Sequence, residues 1–199
     1  MDCFSHHNDD QLSSLQRQVT QGDQAAFRQL FELLYHKLTR FSSSLTRSEE
    51  VASEIVDEVF VRVWNNRETL LSIGNLRVYF YRAVKNESLN YLSRKAHQHM
   101  YEPFDDINIE LRDEMNPEKL MMTKELLNKI RTAVDGLPAR CKLIFKLVRE
   151  DGLRYKEVAE ILNLSVKTVD AQMVIAVSRI RETMKDELNL TPRNYFQKK

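Results

Sequence analysis

The chain has 199 residues, 42% hydrophobic and 30% charged, with a net charge of +1. That length fits one ordinary domain or two small ones, and the composition excludes a chain too polar to build a core. Near-zero net charge gives by itself no case for a nucleic-acid partner. The polar start MDCFSHHNDDQ lacks a signal peptide's apolar stretch. No apolar run approaches the roughly 18–20 residues of a membrane span, and Cys3 and Cys141 stand far apart with no metal or redox spacing. A soluble, cytoplasmic protein is expected.

Only 4 Gly and 4 Pro interrupt the chain, which favours long helices. Leu12, Leu15 and Val19 have helical spacing, closed by Gly22. Asp23 is placed to cap the next helix, where Phe27, Leu30, Phe31, Leu34, Leu38 and Phe41 keep a period near 3.6. Ser42 to Thr46 reads as a polar break. Ser48 then precedes Glu49 and Glu50, acids suited to a helix N-terminus. Val51, Ile55, Val59 and Val63 form the apolar row of that helix. Leu70 to Asn75 reads as a loop, and another helix runs from about Leu76 to Arg94.

Met100 to Pro117 is weakly periodic and reads as a linker. Beyond it, Leu126, Leu127, Ile130 and Val134 pattern one helix. Leu137-Pro138 opens the next with Pro in a first-turn position, and Asp151-Gly152 ends it. Tyr155 to Leu162 is a short helix, Asn163-Leu164 a tight turn, Ser165 an N-cap, and the last helix runs from Val166 to about Asp186. No strand-like alternation occurs. The expectation is an all-α chain of two small helical domains, 11–96 and 122–188, joined by an acidic linker, 97–121.

Charge is segregated along the chain. Arg77 to Lys95 holds five basic residues and one acid, whereas Tyr101 to Glu118 holds seven acids and one base. Such segregation gives a basic face and an acidic connector at nearly zero net charge.

Three constellations carry functional information. YKEVAEILNLSVKTVDAQMVIAVSRIR has the turn, the cap and a small residue, Ala159, at a close helix crossing, as a helix-turn-helix requires. Its second helix offers a polar row of Thr168, Gln172 and Arg179, with Lys167 beside it and Ala171 and Ile175 nearby; Gln pairs with adenine, Arg with guanine or phosphate. In the helix from Glu49 to Trp64, Glu50, Glu54, Asp57 and Glu58 line one face, with Phe60 and Trp64 as an aromatic pair, a pattern suited to an Arg-rich partner helix. In the helix from Leu76 to Arg94, Arg82, Asn86, Asn90 and Arg94 recur every four residues, beside Lys85, Tyr79, Tyr81 and Tyr91. Charges for phosphates, rings for stacking and amides for base edges are what melted DNA demands, and the loop Leu71 to Asn75 could wall a pocket for an extruded base.

Bland readings stand beside these. The acid row suits a solvated face, Trp64 suits ordinary core packing, and the tyrosines suit a core with surface Lys and Arg around it. Cys3 with His6-His7, and His97 with His99, are short pairs without a second ligand pair, so no metal is expected. No Gly-rich phosphate loop and no nucleophile with a base and an orienter occur, so no cofactor or catalytic residue is assigned. A response regulator shares the SVKTV-type helix-turn-helix but needs an α/β receiver before it. A protein-binding adaptor would turn both basic faces toward partners instead, and would lack the salt dependence of phosphate contacts.

DEVFVRVW (Asp57 to Trp64) followed by YFYRAVKNESLNYLSR (Tyr79 to Arg94) resembles region 2 of sigma-70 factors. Gly136 to Arg181 resembles their region 4. The absence of room for a region 3 domain or an inhibitory N-terminal extension resembles the extracytoplasmic-function (ECF) group, and LNYLSR and QMVIAVSRIRE are similar to its Bacteroidetes-type, iron-dicitrate-regulator-like branch. The resemblance implies a promoter-specific initiation factor that is not an enzyme. It implies that Glu50, Glu54, Asp57, Glu58, Phe60 and Trp64 face the clamp helices of the RNA polymerase largest subunit, and that the C-terminal domain meets the flap region. Leu71, Asn75, Arg82, Lys85, Asn86, Asn90 and Arg94 are implied to recognise and melt the −10 element. Ser165, Lys167, Thr168, Gln172 and Arg179 are implied to read the −35 element as duplex. An anti-sigma factor, commonly membrane-anchored, is implied as the inhibitor. Asp57 stands where many relatives carry Gln, Ser178 where a basic residue is expected, and Val174 where a polar one is common.

Overall fold

A computed structural model of the protein describes residues 3–96 and 121–183, and every regular element among them is helical. The elements are α1 (Cys3–Thr20), α2 (Gln24–Thr46), α3 (Glu49–Asn65), a 3₁₀ turn (Arg67–Ser72), α4 (Leu76–Ala96), α5 (Met121–Asp135), α6 (Ala139–Arg149), α7 (Tyr155–Leu162) and α8 (Val166–Thr183). The expected linker lies outside the described residues but for its last position, Met121, which opens α5. The tail of the last helix past Thr183 and the side chains of the two His pairs also lie outside them.

Local chemistry sets the helix ends. Gly22 takes φ +86°, a conformation that side chains resist, and so closes α1. Asp23 accepts the backbone N–H groups of Ala25 and Ala26 at 2.8 and 3.1 Å. Ser48 accepts that of Val51 at 3.3 Å. Each such cap satisfies a donor that the helix itself leaves orphaned, and is worth about 1 kcal/mol.

Several boundaries differ from the sequence reading, and two of them have a clear local cause. The break at Ser42 to Thr46 does not occur; α2 runs through Thr46 and ends at Arg47, φ 59°. The reason is that these hydroxyls are satisfied inside the fold. Ser44 donates to the Phe41 carbonyl, Thr46 donates to that of Ser42, and the Ser42 hydroxyl lies 2.9 Å from that of Ser88 on α4. Pro138 stands one residue earlier than expected, as the N-cap of α6, because its ψ of 143° is not yet helical.

The N-terminal half wraps α2 with α1, α3 and α4. Leu30, Leu38, Val56, Val59, Val63 and Phe80 are almost fully buried there. Phe60 sits at the centre of an aromatic group, with ring centroids 4.8 Å from both Phe31 and Phe80 and 6.0 Å from Phe27. In the C-terminal half, α6, α7 and α8 pack together, and Val134 and Leu137 join Cys141 and Ala176 in a smaller cluster. The two halves also meet. Leu143, Ile144, Leu147, Leu153, Val158 and Ile161 are continuous with the core of α1–α4.

Candidate nucleic-acid interface

The axes of α7 and α8 turn by 110°, within the ~90–120° of a helix-turn-helix. Asn163 enables the turn with φ 55°, and the Leu164 N–H donates to the Ala159 carbonyl at 2.8 Å. Ser165 caps α8: its hydroxyl accepts the Thr168 N–H at 2.9 Å and lies 2.7 Å from the Thr168 hydroxyl. These two hydroxyls therefore hold the start of the helix. Val169, Met173 and Ala176 face inward. Lys167, Ala171, Val174 and Ser178 are exposed on the outward side, whereas Thr168 and Gln172 are half-buried on one flank and Arg179 is exposed. Val174 is among the most exposed apolar residues described, at 63%. The Cys141 thiol donates to the Gln172 carbonyl at 3.3 Å and ties α8 to α6.

On α3, Glu50, Glu54, Asp57 and Glu58 are all exposed above buried Ile55, Val56 and Val59. The aromatic pair expected beside them divides. Phe60, 2% exposed, belongs to the core and presents no surface; it follows Val56 by one helical turn on the inward face. Trp64 is half-buried, 4.9 Å from the Phe27 ring, with the Arg67 guanidinium 4.9 Å over its own ring.

The loop before α4 is held from behind by a residue that carries no sequence signal. Gln16 on α1 donates from Nε2 to the carbonyls of Leu70 and Ile73 at 2.6 and 2.8 Å. Leu70 points inward and Leu71 outward, 59% exposed. Asn75 caps α4, accepting the Val78 N–H at 3.0 Å.

The row on α4 separates into two groups. Asn86, Asn90 and Arg94 are exposed; Arg94 lies 3.9 Å from Glu87, which also pairs with Arg62 at 3.1 Å. Asn75, Arg82 and Lys85 instead engage α7. Asn75 donates to Glu157 at 2.8 Å, Arg82 to Glu160 at 3.1 Å, and Lys85 to the Ile161 carbonyl at 2.7 Å. Lys85 is 8% exposed, contrary to its expected place on a surface row, and burial first, then the Arg82 charge, lowers its pKa. The tyrosines divide as well. Tyr79 and Tyr91 are half-buried, but Tyr81 is a core residue whose hydroxyl donates to Asp151 at 2.8 Å.

Asp151 gives the fold a pH dependence. Burial raises its pKa to about 6, against the opposing Tyr81 hydrogen bond and the charges of Arg40 and Lys37. An unfolded Asp titrates near 4. The folded chain therefore binds this proton more tightly than the unfolded chain. The resulting stability is complete below about pH 4 and is lost as pH rises through about 6, a span on the order of 2–3 kcal/mol. Urea unfolding at pH 4.5 and pH 7.5 should show the Asp151→Asn variant gaining stability relative to wild type at the higher pH only. An equal effect at both pH values would contradict the assignment.

Among the described residues no group of three or more His, Cys, Asp or Glu is placed to hold a metal ion, and no single helix is long and apolar enough to cross a membrane. Comparison with known proteins decides what the two surfaces belong to. The family model for Sigma-70 region 2 matches residues 30–98, and that for Sigma-70, region 4 matches residues 127–180. The chain belongs to the sigma-70 family. Over most of its length it is similar to curated ECF sigma factors. It is 27% identical over 181 residues to the ECF RNA polymerase sigma-E factor of Escherichia coli (strain K12), covering 87% of this chain and 92% of that one. It is 25% identical over 182 residues to the factor of the same name from Haemophilus influenzae, with 88% and 94% covered. Two solved structures share the fold. CnrH, in complex with the cytosolic domain of CnrY, has a TM-score of 0.52 at 19% identity, covering 87% of this chain and 96% of that one. RpoE from Bartonella quintana, with the anti-sigma factor NepR, has a TM-score of 0.54 at 17% identity, covering 80% and 96%. The sigma factor thus directs promoter-specific transcription initiation and is not an enzyme.

Proposed function

We propose that this sigma factor grips core RNA polymerase through α3 and reads its promoter at two places. The carrying observation is the exposed acid row of Glu50, Glu54, Asp57 and Glu58, set on a helix whose opposite side is buried. Four carboxylates at helical spacing complement an Arg-rich helical surface such as the clamp helices of the largest subunit, with half-buried Trp64 at the edge of the contact. Opposite charges of this kind steer encounter and fix register. The −10 element is met by Leu71, Asn75 and the exposed α4 residues Arg82, Asn86, Asn90 and Arg94. The −35 element is met in the major groove by α8, with Lys167 and Arg179 on phosphates or guanine, Gln172 on a base edge, and Ser165 and Thr168 at the helix start. Val174 and Ser178, outward on α8, favour apolar contact over a phosphate contact there. Region 4 docks on the flap region. The two domains correspond to 11–96 and 122–188.

The fold-sharing structures are complexes with CnrY and with the anti-sigma factor NepR. They support inhibition of this chain by an anti-sigma factor; that the inhibitor is anchored in the membrane and the sigma factor works in the cytoplasm is part of the same proposal. LNYLSR and QMVIAVSRIRE support membership of the Bacteroidetes-type, iron-dicitrate-regulator-like branch.

The polymerase contact is tested with Glu50→Lys, Glu54→Lys and Glu58→Lys combined. Wild type should co-purify with core polymerase, and the variant should lose at least about tenfold in affinity, since each reversed charge costs on the order of 1 kcal/mol or more. Thermal stability should change little, because all three side chains are exposed. Undiminished binding would place the contact elsewhere.

A further inference from the structure

Gln16 interrupts an apolar stripe on α1. Leu12, Leu15 and Val19 are buried on the inward face of that helix, and Gln16 is buried beside them. A buried amide without partners is costly, so its bonds say what it is for. Both are made by Nε2, to the carbonyls of Leu70 and Ile73, 54 and 57 residues away. An amide nitrogen carries two N–H donors, and here they go to the two ends of one tight turn. A carboxylate of the same length offers no such donor, and neither does an apolar side chain of the same shape.

The segment so held presents an outward side chain. Its start is fixed to α3, where Asn66 donates to the Arg62 carbonyl at 2.9 Å and Arg67 donates to that of Trp64 at 3.1 Å. Its middle braces itself, with the Thr69 and Ser72 hydroxyls on the carbonyls of Asn66 and Thr69 at 2.8 and 2.7 Å. Its end is the Ile73 carbonyl, on extended backbone with ψ 113°, and Gln16 ties that end to α1. Between the two carbonyls that Gln16 grips stand Leu71 and Ser72, both exposed. Next to them Gly74 leaves open ground, since a Cβ there would meet nothing within 4 Å. Bare backbone beside an exposed leucine is a place where an unstacked base can lie against the chain.

We infer that Gln16 is a positioning residue for −10 recognition: its carboxamide fixes the turn that carries Leu71, and so sets which base the sigma factor accepts there. The inference rests on the reading of this loop as part of the −10 surface. Gln16 acts through Leu71, from the side of the turn that faces the core. A contact group misplaced by about 1 Å can lose on the order of a hundredfold in effect, so a turn that is present but loose would bind without discriminating. A residue that only stabilised the fold would lower every activity in the same proportion, whereas a positioning residue changes the profile of accepted bases.

The test uses the full chain assembled with core polymerase, on promoter templates in which each −10 base pair is changed in turn. Permanganate reactivity of the melted region reads opening. Gln16→Met keeps length and bulk but removes both donors; Gln16→Glu keeps the shape and puts acceptors in their place. The unaltered sigma factor should prefer one base by about tenfold or more at the position that Leu71 meets, which is the position that Leu71→Ala flattens. Both Gln16 variants should reduce that preference to about twofold or less. Preferences at the other −10 positions, dependence on the −35 segment and co-purification with polymerase should stay as they were. If Leu71→Ala loses the preference and both Gln16 variants keep it, the role of Gln16 is overturned and the proposed function stands. If Leu71→Ala keeps it, the −10 reading of the loop fails and takes the inference with it. A loss of polymerase binding and of opening on every template in one proportion makes Gln16 a stabilising residue only, and also overturns the inference.

Discussion

Phe60→Ala is expected to destabilise the chain by about 3–5 kcal/mol, the usual cost of truncating a buried aromatic. Against a total stability of about 5–15 kcal/mol, that is enough to leave the variant partly unfolded at growth temperature. The reason is geometric. Phe60 is 2% exposed and its ring meets Phe27, Phe31 and Phe80, so truncation opens a cavity where α2, α3 and α4 converge. Polymerase binding should fall only in proportion to the folded fraction. Urea unfolding followed by circular dichroism measures the stability, and binding at low temperature, where the variant folds, measures the contact. A variant of wild-type stability that had lost polymerase would return Phe60 to the partner surface.

Asn86→Ala combined with Asn90→Ala should give the largest functional loss without a structural one. Both side chains are exposed on α4 outside the α7 contact, so stability should stay within about 0.5 kcal/mol of wild type. If each amide reads a base edge of the opened strand, each loss costs about 1–3 kcal/mol, and promoter opening should fall by at least about tenfold. Permanganate reactivity of unpaired thymines in the −10 region measures opening, and co-purification measures polymerase binding, which should persist. Opening at the wild-type rate would remove the α4 amides from promoter recognition.

The local features of this fold were legible in the sequence, and the long-range ones were not. Asp23, Ser48, Asn163 and Ser165 act on backbone groups a few residues away, and the helices they bound were readable from caps and periodicity alone. Ser42 was misleading because its partner, Ser88, lies 46 residues away; with that bond hidden, a run of hydroxyls reads as a break. Tyr81 is a core residue for a similar reason, since the group that accepts its hydroxyl proton, Asp151, is 70 residues distant. Gln16 gave no signal at all, being one polar residue on an otherwise ordinary helix.

The candidate surfaces show the same division. The α3 acids are visible as a row because a helix places i and i+4 together. The α4 row was visible for that reason too, but its division into exposed Asn86, Asn90 and Arg94 and engaged Asn75, Arg82 and Lys85 depends wholly on where α7 lies. Phe60 was within reach of the sequence, as one turn from Val56 it shares the inward face, yet its place beside four acids drew it to the wrong side. Thr168 and Gln172 belong to the outward polar row by spacing but are half-buried, because the helix is rotated so that Lys167, Ala171 and Val174 lead.

Run-off transcription with purified core polymerase, on DNA taken from upstream of the protein's own coding sequence and of other candidate operons, tests most directly whether two helical surfaces on one chain bring polymerase to a promoter. The account predicts a discrete transcript that needs the sigma factor and disappears when either the −10 or the −35 segment is scrambled. Transcripts that start at random, or that are indifferent to both segments, would contradict it.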